Sequence, residues 1–102
     1  MPEPIVQVTE YTVRCLPEDH PSSRHFSLKV AYRGAQRWAV TDTGYCLSRS
    51  GTWQYEQVPS ERCDEWLAEH RFDLATALDL ARDQAPHLEV NGRTVAEVLA
   101  RG

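Results

Sequence analysis

The sequence predicts an α+β domain: an antiparallel meander of four or five strands, followed by two packed helices and a short C-terminal helix. Three observations carry this reading. Apolar residues alternate with polar ones through the first half, and the intervening segments are short and rich in turn residues. After about residue 60 the apolar period changes from 2 to 3.6. Strands first and helices after is the segregated order of the α+β class. The 102 residues make a single domain, 1–102. Trp38, Trp53 and Trp66 fall on three different predicted elements. A tryptophan buries roughly 150–250 Å² where it packs, so the three mark either the core or an exposed binding face.

The first strand is predicted around Tyr11, Val13 and Cys15, which alternate with Thr12 and Arg14. Val6 and Val8 fall on the other parity, so a bulge or register change near residues 9–10 is expected between them. Two prolines, Pro17 and Pro21, with small polar neighbours make residues 16–23 a loop. The second strand has the cleanest alternation: Phe26, Leu28, Val30 and Tyr32 against Ser27, Lys29, Ala31 and Arg33. Gly34 marks the next turn. A third strand runs through Trp38 and Val40, and Gly44 supplies positive φ for the turn after it. Residues 45–47 form a short strand, residues 48–51 a turn, and residues 52–56 a last strand with Trp53 and Tyr55 on one face. Connections this short make successive strands antiparallel neighbours.

Cys63, Trp66, Leu67 and His70 stand at i, i+3, i+4 and i+7 of a helix, with Pro59 and Ser60 suited to start it. A second helix is expected from the cap Asp73 through Leu74, Ala77, Leu78 and Ala81, ending at Pro86. Both helices are expected on one sheet face. In the tail, Asn91-Gly92 has the form of a type I′ hairpin turn, and Thr94 to Glu97 the form of a helix capping box. The two signals compete for Thr94 and Val95. A short extended segment, the turn and then the helix is the arrangement that keeps Val95, Val98 and Leu99 on one helical face. The expected core is Val13, Phe26, Leu28, Val30, Trp38, Val40, Trp66, Leu67, Leu74, Leu78 and Val98.

Charge is unevenly placed. The net charge is −4, yet residues 56–89 carry nine acidic and three basic groups, while residues 1–55 carry five acidic and six basic. The second half therefore repels nucleic acid and attracts a protein with a basic surface. No apolar run reaches the ~18 residues of a membrane span, and the N-terminus has no signal-peptide pattern. Three scattered cysteines without a C-x-x-C fit a reducing, cytoplasmic setting. Cys15, His20 and His25 are too widely spaced for a zinc site, so no metal and no cofactor is expected. Phosphate-binding glycine loops, H-E-x-x-H and G-x-S-x-G are all absent, and no catalytic residue is assigned.

Two candidate binding surfaces remain. Glu61, Glu65 and Glu69 form a column at i, i+4 and i+8 with Asp64 beside it. Like charges at this spacing cost a few tenths of a kcal/mol per pair, so the column is either the solvated face opposite Trp66 or a docking surface for a basic partner. Trp53 and Tyr55, with Tyr45, are either covered by helices or form an aromatic patch for a small ligand or single-stranded nucleic acid, with Arg33, Arg37 and Arg49 in the same half. His70 to Asp73 lies between the helices, with Phe72 available to plug the core. The run of Trp38-Ala39-Val40, residues 51–56, Pro59-Ser60 and residues 70–81 resembles small uncharacterised proteins of actinobacteria and their phages, over residues 38–95. That resemblance implies no activity and no catalytic residue. The reading reached from the residues is a non-enzymatic protein-interaction module, with the sheet-aromatic binder as the alternative. An unpaired sheet edge leaves a homodimer open.

Overall fold

The computed structural model describes residues 2–57 and 62–101. Among them the alternating segments form one antiparallel sheet of five strands in the order β1-β2-β3-β4-β5. The strands are β1 (Glu10–Arg14), β2 (Ser27–Tyr32), β3 (Trp38–Asp42), β4 (Tyr45–Leu47) and β5 (Trp53–Tyr55). Three helices follow: α1 (Asp64–His70), α2 (Leu74–Gln84) and α3 (Val95–Ala100). The fold is therefore α+β, a five-stranded meander with its helices after it. The sheet begins at Glu10, and Cys15 lies outside it. Residues 2–9 form no strand, and Ile5, Val6 and Val8 stay exposed.

Register decides which side chains share a face. Val13 pairs with Leu28, Tyr11 with Val30, Val30 with Val40 and Tyr32 with Trp38. Asp42 pairs with Tyr45 and Leu47 with Trp53. Partners across an antiparallel ladder point to the same side, so these residues form one face. Helix α2 lies on β1, β2 and β3, and its Ala77 and Ala81 are fully buried in the same core cluster as Leu28, Val30, Val40 and Leu47. Alanine at these two positions lets the helix backbone approach the sheet closely. α2 ends at Gln84, just before Pro86, and a separate 3-10 turn, Ala85–His87, follows it.

The chain after α1 completes β3. β4 pairs with β3 only at Thr41 and Asp42, which leaves the start of β3 open on that side. Residue 72 fills the gap: Trp38 N–H donates to the Phe72 carbonyl at 2.7 Å, and Phe72 N–H donates back at 2.9 Å. Phe72 is thereby set into the core at 1% exposure. It does plug the core, as its place between the helices suggested.

Three expectations change. Of the expected core, Phe26, Leu28, Val30, Trp38, Val40 and Val98 are buried, while Val13, Leu74 and Leu78 are partly buried against the cluster. Trp66 and Leu67 are half-buried and stand outside it. The reason is the second change. α1 does not share a face with α2. It is held to the reverse side of the sheet through Gln54, which pairs with Cys46 and so points opposite to Trp53 and Tyr55. The third concerns the start of α1. Its first residue is Asp64, and Cys63 caps it, the thiol accepting from Trp66 N–H at 3.4 Å. Pro59, Ser60 and Glu61 lie outside the described residues.

The competition in the tail is resolved by economy. β6 (Glu89–Val90) and β7 (Arg93–Thr94) are only two residues each. Asn91 and Gly92 both have positive φ, 53° and 76°, as a type I′ turn requires. Thr94 ends β7 and also caps α3, its hydroxyl accepting from Glu97 N–H at 3.2 Å. One threonine serves both motifs because an N-cap residue has extended dihedrals, as a strand residue does.

Candidate functional site

The reverse side of the sheet carries a network of ion pairs centred on one carboxylate. Arg33 follows β2, Glu56 follows β5, and Arg71 lies between α1 and α2. The alternation of each segment turns these three toward the side that carries Ala39 and Cys46 rather than toward α2. Glu56 is their hub. Arg33 grips its carboxylate with two bonds of 3.2 and 3.1 Å, and Arg71 donates to it at 2.6 Å. Arg62 reaches it at 3.7 Å. Burial pushes the Glu56 carboxyl up, but hydrogen bonds and charge from Arg33 and Arg71 outweigh this and hold it below the usual range. Arg71, only 6% exposed, also donates to the His70 carbonyl at 3.0 Å. Its burial favours loss of the proton and Glu56 opposes that.

An aromatic stack lies beside the hub. The Trp66 and His70 rings are parallel within 17°, with centroids 4.3 Å apart. The guanidinium of Arg71 sits 5.0 Å from the Trp66 ring centre and that of Arg62 at 5.7 Å, within cation–π range. Both His70 nitrogens are engaged: Nδ1 donates to the Trp66 carbonyl at 2.8 Å, and Nε2 faces the Gln54 side-chain amide at 2.7 Å. With both nitrogens held and the ring buried, His70 is placed to anchor α1 to β5. Cys46 is fully buried beneath this region, and burial pushes its thiol up, favouring the protonated form.

Between the β2–β3 turn, the β4–β5 turn and α1 lies a cavity of about 450 Å³ whose wall includes Arg33, Arg37, Arg49, Arg62 and Arg71. Arg49 bonds the Ala68 carbonyl at 3.3 and 3.1 Å, near the negative end of α1, and lies 5.3 Å from the centre of the Phe72 ring. Arg37 is exposed at the turn, and its side chain has no ion-pair partner among the described residues. This concentration was not read from the sequence. Its one signal was that arginine supplies ten of the eleven basic residues.

The two sequence-derived surfaces are separate. Asp64, Glu65 and Glu69 are all exposed on α1, and none forms an ion pair among the described residues. Helical spacing turns Glu65 and Glu69 away from Leu67, which lines the arginine cavity. Glu61, the fourth member, lies outside the described residues. Trp53 is half-covered and packed against the core, while Tyr55 is 71% exposed and stacks on Tyr45 with ring centroids 4.4 Å apart. Of the pair, Tyr45 lines a cavity of about 300 Å³ together with Asp42, Trp53, Gln84, His87, Leu88 and Glu89. The arginines expected near these aromatics are on the reverse side, so the aromatic patch is bordered by carboxylates instead.

No group of three or more His, Cys, Asp or Glu among the described residues is placed to hold a metal ion. None of the described helices is long and apolar enough to cross a membrane. Comparison with protein-family models, with curated proteins and with solved structures finds no match for this chain.

Proposed function

We propose that the chain is a non-enzymatic protein-interaction module that presents the acidic side of α1 to a partner with a basic surface. The observation that supports this reading is the state of Asp64, Glu65 and Glu69: exposed and unpaired among the described residues, although five arginines lie in the cavity beside the same helix. The helix bearing them is tethered by bonds from His70 to Gln54 and from Arg49 to the Ala68 carbonyl. A preset helix pays little ordering entropy when it docks. Complementary charge of this kind acts mainly on the association rate and is screened by salt. The test is a pull-down at low and high salt with the wild type and the triple variant Asp64→Lys, Glu65→Lys, Glu69→Lys. Partners held at low salt by the wild type and lost by the variant support the reading. An unchanged partner set refutes it.

The stacked Tyr45–Tyr55 pair supports a second reading, a small-ligand site on the other side of the sheet. Its carboxylate neighbours Asp42 and Glu89 suit a cationic ligand such as an aromatic amine, and they disfavour single-stranded nucleic acid. Titration of such amines against Trp53 fluorescence tests it. A Trp53 signal that no amine alters would remove this alternative.

A further inference from the structure

The geometry points to the arginine-lined cavity as a binding site for the di- or triphosphate group of a small molecule. Five arginines line it, and Glu56, which pairs with Arg33, Arg62 and Arg71, is the single carboxylate that pairs with any of them among the described residues. That leaves a formal excess of four positive charges in a chain whose net charge is −4. The excess is concentrated in a concavity of about 450 Å³, within the roughly 300–1,000 Å³ of ligand sites.

The internal bonds also leave donors unused. A guanidinium carries five N–H groups. Arg33 spends Nε and Nη2 on Glu56, and Arg49 spends Nε and Nη2 on Ala68, so Nη1 of each is uncommitted among the described residues. Arg62 spends Nε on the Gln57 carbonyl. These bonds hold the side chains in position, while the exposed Arg37 side chain makes none among the described residues. Prepositioned arginine forks match phosphate oxygens in pairs, which lysine cannot do. A diphosphate or triphosphate carries the three to four negative charges that offset an excess of this size. A monocarboxylate or a single sulfate does not.

Calorimetric titration of the full chain with inorganic pyrophosphate, at low ionic strength, tests the site. The expected result is saturable binding of one pyrophosphate, at least tenfold tighter than sulfate. Arg37→Gln is expected to weaken it about tenfold, the worth of one charge-assisted hydrogen bond, with no change in thermal midpoint because Arg37 is exposed. Arg24→Gln, on an exposed turn away from the cavity, is expected to leave it unchanged. Glu56→Gln, measured where that variant is still folded, is expected to tighten it by releasing Arg33 and Arg71. Absence of saturable heat, equal binding of sulfate, or equal weakening by the Arg24 and Arg37 variants would overturn the assignment. Binding of an oligothymidylate in place of pyrophosphate would overturn it too, by making the cavity part of a nucleic-acid surface.

Discussion

Replacing Glu56 with glutamine removes the one carboxylate around which Arg33, Arg62 and Arg71 are arranged. The dominant contact is with Arg71, at 2.6 Å between groups 18% and 6% exposed. Removing one partner of a buried pair costs about 3–5 kcal/mol, because the other charge stays buried without compensation. The bonds to Arg33 and Arg62 are partly exposed, and such pairs contribute about 0–1 kcal/mol each. Residual solvent at Glu56 and the remaining Arg71 bond to the His70 carbonyl reduce the first figure. A loss of about 2–4 kcal/mol results, a large share of the ~5–15 kcal/mol available to a domain. Urea unfolding of the two proteins at neutral pH measures it as a lower midpoint at unchanged slope. The same carboxylate gives an acid limb. Its pKa is lower folded than unfolded, so its stabilisation is complete above the usual glutamate range and is lost as pH falls through the folded value. The glutamine variant should lack that part of the acid dependence. A glutamine variant within 0.5 kcal/mol of wild type, with an unchanged acid limb, would refute the hub role.

Other consequences are as direct. Phe72→Ala should cost about 3–5 kcal/mol, and Trp66→Ala less than that, since Trp66 is half-buried outside the core cluster; the order of their urea midpoints checks this. Thr94→Ala should cost about 1 kcal/mol through loss of the α3 cap, seen as a lowered thermal midpoint. Cys15 and Cys63 are exposed and Cys46 is buried, so a thiol reagent should label two cysteines in the folded protein and the third only on unfolding. His70→Ala should loosen α1 and raise hydrogen exchange in residues 64–70 before the strands are affected; uniform exchange across the sheet would argue against His70 as the anchor.

Elements with a strong local period were legible in the sequence. β2 was read from strict alternation, α2 from its i, i+3, i+4 spacing, and the β6–β7 turn from Asn91-Gly92, the pair that takes positive φ at least cost. Trp66 shows where this reading stops. Its helical stripe was correct, but an amphipathic stripe says only that a helix has a face to cover, not which side of a sheet covers it. The side was settled by Gln54, whose parity on β5 follows from a register that runs back through four pairings to β1.

What the sequence determined by itself was thus the order and kind of the elements, because dihedral preference and apolar period act over a few residues. It also placed Asp64, Glu65 and Glu69 together, since a helix brings near neighbours onto one surface. The tertiary structure alone decided that Arg33, Arg37, Arg49, Arg62 and Arg71 share a cavity and that Glu56 holds three of them. Those residues come from four separate segments. They meet because β4 leaves the start of β3 unpaired, Phe72 takes the vacant hydrogen bonds, and the chain before it is thereby drawn across the reverse face of the sheet.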